Sequence, residues 1–335
     1  MSSHPDDAHV LILSRNYIAT IAGPADYYDA VESAFRALAA DAIRSLPVGH
    51  VPGVDGAFHI KAAVTESSPR LAAVKINGNF PHNPQRRGLP TIQGCIALAD
   101  AEDGRLLALM DSIEITARRT AAASAVAARH LARRDAETIA LVGCGTQARY
   151  HLAALLALEW PRLRTLRCFD IDPGAAEKLC AAAGRHRLDA VTATSAAQAC
   201  RDADIVVTTT PANAPIIDCG ELRAGCFVAA VGADNPTKCE IAPALMAQAR
   251  VVPDITAQAE TMGDLRAAIA ARAMHRDDVH AELAQIVSGQ RAGRTSQQEI
   301  FIFDSTGTAI QDLAAASVVY QRASADPAAL RVALN

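Results

Sequence analysis

The sequence predicts an α/β protein in which a doubly wound parallel sheet is joined to a discontinuous α+β lobe. Three observations lead there. From residue 138 short β-branched runs alternate with alanine-rich helical stretches. The first of those runs, TIALVG, ends in the glycine-spaced turn GCGTQA. Before it, several strand-like segments lie close together without helices between them, so the two halves of the chain follow different rules. Strands that are apolar on both faces and alternate with helices build a parallel sheet covered on both sides.

The elements follow in order. YYDAVESAFRALAADAI has the spacing of an amphipathic helix, and GAFHIKAAV, RLAAVKING and GCIALAD read as strands. ADAEDGRLLALM carries a glycine in a polar turn between apolar runs, the pattern of a hairpin. EITARRTAAASAVAARHLARR is a long helical pattern leading into the sheet domain. There TIALVG, TLRCFDID, AVTAT, DIVVTTTP, CFVAAVG and ARVVPD are the strands, and TQARYHLAALLAL, PGAAEKLCAAAGRH and SAAQACRDA the helices. FDSTGTAIQDLAAASVVYQRA has a glycine turn and then a helix, and it follows ARVVPD, taken as the last sheet element. The expected division is 1–118 for the first part of a substrate-binding and dimerisation lobe, 119–309 for the nucleotide domain, and 310–335 for a helix returning to the first lobe.

Bulk properties narrow the function. With 335 residues, 50% hydrophobic and 20% charged, the chain can bury two cores. A net charge of −4 with scattered Lys and Arg argues against nucleic-acid binding. No stretch has the roughly 18 apolar residues of a membrane span, and the N-terminal run is too short for a secretory signal. A cytoplasmic protein is expected. The 8 cysteines form no CxxC pair and have no histidine at zinc-ligand spacing, so reduced and mostly buried thiols are expected, with no metal.

The turn carries the chemistry. Gly143 allows a tight exit from the strand, and Gly145 lets backbone approach a pyrophosphate. Ala148 keeps the third, small position. A helix starting at Thr146 and Gln147 points unpaired N–H groups at the same spot. The next strand ends in CFDID, where Asp170 can accept hydrogen bonds from a ribose diol. Its charge opposes a 2′-phosphate and no arginine follows it, so NAD is preferred over NADP.

With these motifs in place, the chain resembles the ornithine cyclodeaminase/mu-crystallin family over nearly its whole length. The likeness is carried by VKINGNFPHNP…GLPTIQG, ITARRTAAASAVAARHLA, GCGTQA, VGADNPTKCEI and FDSTGTAIQD. It implies a Rossmann domain plus a discontinuous lobe that forms a homodimer, NAD as cofactor, and interconversion of amino acids and imines. It also implies site residues. Lys75 and Arg119 would hold the substrate carboxylate, with Arg44 as a third basic residue near the end of the first long helix. Asp234 would be the catalytic acid/base, beside Lys75. Thr91, Arg119, Thr120, Thr210, Val231, Gly232, Ala233 and Lys238 would contact the cofactor. Ser305 and Thr306 would lie beside the nicotinamide and the substrate.

Elementary chemistry agrees with those assignments. An α-amino or α-imino acid offers a carboxylate to Lys75 and Arg119, and proton transfer at nitrogen needs an acid/base such as Asp234. Each has a structural alternative. Lys75 could reach solvent from its strand, one of Arg118 and Arg119 could face water, Asp234 could cap the turn in ADNP, and Lys238 could be a surface lysine.

Three departures bear on the substrate. Ornithine-specific members use a glutamate in an early strand, where this chain has His59. Lys61 stands where a hydrophobic residue is usual, and the MP that follows the strand is missing. Strand alternation sends His59 and Lys61 the same way, and if both face the substrate a neutral or acidic side chain fits better than a cationic one. The resemblance is closest to the alanine dehydrogenase and imine reductase branch. Ornithine cyclodeamination and non-catalytic dinucleotide binding are the alternatives.

Overall fold

In the computed structural model, which describes residues 9–334, the chain divides into two units. Residues up to Arg119 together with those from Thr308 onward form one, and Thr120–Gly307 forms the other. The first run of elements is β1 (His9–Leu13), α1 (Arg15–Ile21), α2 (Pro24–Ala39), β2 (Ile43–Ser45), β3 (Gly49–Gly53), β4 (Gly56–Thr65) and β5 (Leu71–Asn79). It continues with α3 (Asn83–Arg87), β6 (Ile92–Asp100), β7 (Leu106–Asp111) and α4 (Ser112–Leu131). The second unit takes up β8 (Thr138–Val142), α5 (Thr146–Leu156), β9 (Thr165–Phe169), α6 (Pro173–Ala183), β10 (Asp189–Thr192), α7 (Ala196–Cys200) and β11 (Ile205–Thr208). It closes with β12 (Phe227–Ala230), α8 (Pro243–Gln248), β13 (Arg250–Pro253), α9 (Thr256–Ala259), α10 (Gly263–Ala270), α11 (Leu283–Val287) and β14 (Phe301–Asp304). α12 (Ala309–Ser324) and β15 (Arg331–Ala333) belong to the first unit.

That first unit is a sheet in the order β15-β1-β7-β6-β5-β4-β2, with β3 also on β4. All its pairings are antiparallel except β1 with β7. Period-two alternation sorts its faces. Leu71, Ala73 and Lys75 of β5 are buried, while Val74 and Ile76 are 40% and 42% exposed. α12 packs on β4, β5 and α2. α2 turns Tyr27, Val31, Ala34 and Phe35 inward at three- and four-residue steps, and full burial of a side chain such as Phe35 contributes about 1.5–3 kcal/mol. The other sheet face stays partly open and apolar, with Val51, Phe58, Val74 and Ile76 all exposed on it.

The arginine pair resolves differently from the expectation that one faces water. Arg118 donates to Glu114 at 2.6 Å and to the carbonyls of Ala19 and Ala22 at 2.9 Å each, and its guanidinium lies 5.5 Å from the centre of the Tyr27 ring. It ties the end of α1 to α4.

The second unit is a seven-stranded parallel sheet in the order β10-β9-β8-β11-β12-β14-β13. Chain order reverses between β8 and β11, which is where open α/β sheets place their ligands. One strand escaped the sequence reading. FIFD, the start of the supposed tail, is β14, wholly buried between β12 and β13. The last sheet element is therefore β14 and not ARVVPD. Its four apolar-rich residues are too few to show a period of their own.

The cysteines are free, with Cys144, Cys168, Cys200, Cys226 and Cys239 buried. Among the described residues no helix is long and apolar enough to cross a membrane.

His151 on α5 is fully buried, with its Nδ1 2.8 Å from the Gln147 carbonyl and its Nε2 3.0 Å from the Ser124 hydroxyl. Burial pulls its pKa down to about 4, against 6.5 for an exposed imidazole. As pH falls from 6.5 towards 4 the unfolded chain takes up this proton and the folded chain does not, so stability declines across that window and levels below it. The loss is about 3 kcal/mol. Thermal unfolding followed between pH 7 and 4 should show a shallower decline for His151→Gln than for the native protein; parallel curves would refute this.

Candidate active site

The glycine turn follows from its surroundings. At Gly143, with φ at +87°, a Cβ would meet the Thr209 carbonyl and the Thr210 methyl at 2.9 Å, so only glycine fits. Thr209 Oγ1 donates to the Gly143 carbonyl at 3.0 Å and ties β11 to the turn at the reversal point. Gly145 differs, because a Cβ there would meet nothing within 4 Å. It is the N-cap of α5, and no side chain caps that helix start. The first-turn N–H groups therefore remain for an anion. Asp170 is half-buried, with Oδ2 accepting from Cys144 N at 2.7 Å and Oδ1 from Asp172 N at 2.9 Å. It braces the loop, and a carboxylate's further lone pairs leave it able to meet hydroxyls as well. Thr146 is exposed and takes a hydrogen bond from Arg149, and the buried Oε1 of Gln147 has no partner among the described residues.

Four buried carboxylates organise the strand ends beside that loop. Glu240 Oε1 accepts from the N and Oγ1 of Thr210 at 2.6 and 2.7 Å, and Oε2 from Gly232 N at 2.7 Å and Thr208 Oγ1 at 2.6 Å. Burial and the nearby Asp264 push Glu240 up to about 7, against those hydrogen bonds. Asp264 accepts from the backbone of Glu240 and Ile241, and Asp304 from that of Asp264 and Leu265. Asp254 accepts from Thr306 Oγ1 at 2.7 Å and Gly307 N at 2.7 Å. Glu240 and Asp254 replace ladder partners that backbone N–H groups lose where strands end, and Asp304 satisfies the first turn of α10.

Several of the expected residues lie in or next to this network. Thr210, Gly232 and the buried Val231 and Ala233 lie on the loops that Glu240 fixes. Ser305 is buried with an Oγ that has no partner among the described residues. The Thr306 hydroxyl donates to Asp254 and accepts from Gln258, so it holds the turn, and one lone pair remains for a further donor. Asp234 does not cap its turn. Asn235 does, accepting from Thr237 and Lys238, while Asp234 is 55% exposed and pairs with Lys238 at 2.7 Å.

The first unit carries the cations. Lys75 Nζ lies 2.6 Å from Asp312 Oδ2, and Arg119 Nε donates to Asp312 Oδ1 at 2.8 Å. Arg119 also donates to Gln311 at 3.0 Å. All four side chains are buried, so Lys75 does not reach solvent. Desolvation, opposed by Asp312 and reinforced by Arg119 and Lys61, lowers Lys75 to about 7; the same cations hold Asp312 below the usual carboxylate range. Two donors close by in sequence, Gln311 Nε2 and Thr308 Oγ1, are buried without a partner among the described residues. Such orphans suit a ligand's oxygens. Lys61 faces Lys75 directly across β4 and β5, with His59 next on the same face.

Arg44 does not join them. It lies on β2, beyond the end of α2, paired with Glu66 at 2.7 Å and 71% exposed. Register puts it opposite Val64, on the other sheet face from Lys75. Thr120 is buried on α4, and Thr91 sits just before β6, its carbonyl accepting from Phe80 N at 2.8 Å.

Sequence reasoning overlooked Asp312, Gln311, Glu240, Asp264, Asp304 and Asp254. Asp312 had a signal, because it falls on the buried stripe of α12 with Ala315, Ala316, Val319 and Ala323. An acid on an apolar helix face calls for a buried cation.

A glycine turn at the reversal point of a wholly parallel sheet defines a Rossmann-type α/β protein with an added antiparallel lobe. The chain belongs to the ornithine cyclodeaminase/mu-crystallin family, whose profile matches residues 11–326. It is 33% identical to the alanine dehydrogenase of Archaeoglobus fulgidus over 93% of this chain and 95% of that one. Among solved structures it is similar to an archaeal alanine dehydrogenase dimer with bound NAD, with TM-score 0.92 and 32% identity over 97% and 99% of the two chains. The iminosuccinate reductase of Paracoccus denitrificans in complex with NAD+ gives TM-score 0.91 and 29% identity over 97% and 100%.

Glu240→Gln tests the strand-end network. Each Glu240 oxygen receives one immovable backbone N–H, so an amide nitrogen must oppose one of them in either orientation. The variant should lose about 1–3 kcal/mol in urea unfolding; unchanged stability would refute the role.

Proposed function

We propose that this protein is an NAD(H)-dependent oxidoreductase that interconverts a small α-amino acid with its imine, or with the corresponding keto acid and ammonia. The observation that carries the proposal is the buried pair Lys75 and Arg119, held by Asp312 beside the orphaned donors Gln311 Nε2 and Thr308 Oγ1. Buried cations with unfilled donors nearby suit a carboxylate. The alanine dehydrogenase and iminosuccinate reductase relatives, with NAD in their structures, support the same reading.

In this reading the loop Gly143–Gln147 and the N-terminus of α5 hold the pyrophosphate, and Asp170 accepts from the adenosine ribose. Thr210, Val231, Gly232, Ala233 and Ser305 flank the nicotinamide. The reduced cofactor, when bound, supplies a hydride for the imine carbon. Lys75 and Arg119 fix the α-carboxylate and so orient that carbon. Asp234, exposed beside Lys238, relays a proton from solvent to the nitrogen as the amine forms. Orientation and proton handling are the protein's share of such chemistry. Free thiols throughout suit a cytoplasmic setting.

A second copy of the chain is proposed to cover the open sheet face with Val51, Phe58, Val74 and Ile76. The dimeric state of the archaeal alanine dehydrogenase supports this.

Ammonium-dependent oxidation of NADH with pyruvate, or oxidation with a cyclic imine carboxylate, tests the activity; NADH consumption with neither would overturn it only if dicarboxylic keto acids also fail. Lys75→Met should raise KM at least ten-fold or abolish turnover while leaving NADH affinity intact, and full activity would refute its role. Because Lys75 must be protonated to bind a carboxylate and titrates at about 7, kcat/KM for the native enzyme should fall as pH rises above that value. A flat profile from pH 6 to 9 would contradict this assignment. Ile76→Glu should shift the species seen by light scattering from dimer to monomer; a native monomer would overturn the proposed interface.

A further inference from the structure

We infer that Lys61 selects the substrate's side chain, and that the substrate is an α-imino dicarboxylic acid whose second carboxylate lies against Lys61 while its first is held by Lys75 and Arg119. The inference rests on the proposed imino-acid chemistry and adds the class of substrate.

Register is the main argument. β4 and β5 pair so that Lys61 and Lys75 stand directly opposite on one sheet face. Opposed like charges in an antiparallel pair destabilise the sheet, and an aliphatic residue at position 61 would remove the conflict. Neighbouring strands lie about 4.8 Å apart, a spacing that the two carboxylates of a four- or five-carbon diacid can span.

Chemical surroundings point the same way. Lys61 is near enough to raise the cost of a charge on Lys75 and to stabilise the Asp312 carboxylate. Of the four groups Lys61, Lys75, Arg119 and Asp312, three are cationic. His59 follows on the same face, its ring centre 5.0 Å from that of His50. A basic, half-buried strip beside an α-carboxylate anchor disfavours a cationic side chain such as an ornithine ammonium. It offers a hydrocarbon side chain nothing that it would not find better elsewhere. An acidic side chain gains a charge-assisted hydrogen bond. The reaction balances as a reduction in which the imine carbon gains hydride from the reduced dinucleotide and the nitrogen gains a proton. The products are the α-amino dicarboxylic acid and the oxidised dinucleotide, with both carboxylates unchanged.

Steady-state NADH oxidation by the full-length protein tests this. The keto acids are oxaloacetate, 2-oxoglutarate and pyruvate, each with ammonium, and 1-pyrroline-2-carboxylate is assayed alone. A dicarboxylic keto acid should give at least ten-fold higher kcat/KM than pyruvate, in an ammonium-dependent reaction yielding the amino acid. Lys61→Met should lower kcat/KM for that substrate by roughly ten- to a hundred-fold, mainly through KM, as expected for a hydrogen bond to a charged group. It should lower pyruvate turnover several-fold less than turnover of the dicarboxylic keto acid, and Lys61→Arg should recover part of the loss. If pyruvate or the cyclic imine is preferred, or if Lys61→Met depresses all substrates equally, the inference fails while the imino-acid reading stands. If no substrate oxidises NADH, both fail.

Discussion

The site depends on one shared carboxylate. Asp312 reaches Lys75 with one oxygen and Arg119 with the other, all within the same buried neighbourhood. Two cations brought out of water repel each other, and a carboxylate between them offsets that repulsion and part of the dehydration cost. The helix α12 delivers Asp312 from the end of the chain onto the sheet formed by its beginning. That is why the first unit is discontinuous in sequence. A folded first unit and an ordered anchor are therefore the same achievement.

At the sheet edge the second unit solves a different problem with the same residue type. Backbone N–H groups past the strand ends and at the start of α10 lack ladder partners, and Glu240, Asp264, Asp304 and Asp254 accept from them. Side-chain acceptors let the chain leave each strand abruptly. The Thr210, Gly232 and Ser305 segments are thereby fixed without regular structure to hold them. The cost is several buried carboxylates: burial displaces Asp264 and Asp304 above the ordinary carboxylate range, and for Asp304 the nearby Asp264 and Asp254 add to it.

Much of this was legible in the sequence, for physical reasons. Periodicity marks β8, β9, β11 and β12 because fully covered strands are continuous apolar runs. The glycine turn is readable because Gly143 is needed by backbone geometry. The sequence singled out Lys75 and Arg119 but not the carboxylate that both pair with, since Asp312 lies far off in sequence and meets them only through the return of α12. Arg44 lies apart because α2 ends at Ala39, before it, and the strand that follows turns it to the sheet face opposite Lys75. The turn-holding bond of Thr306 was not readable, because Asp254, which takes its proton, lies in a segment without a motif. β14 was missed because a four-residue buried strand resembles any short apolar run.

The bare start of α5 has a thermodynamic corollary. With Gly145 as N-cap and no side chain serving the first turn, an anion bound there would complete that turn. Binding and local order then rise together, because a species that engages only the folded form shifts the folding equilibrium by mass action. The concentration of a small diffusing molecule thus becomes a setting on how tightly the opening turn of this helix is wound.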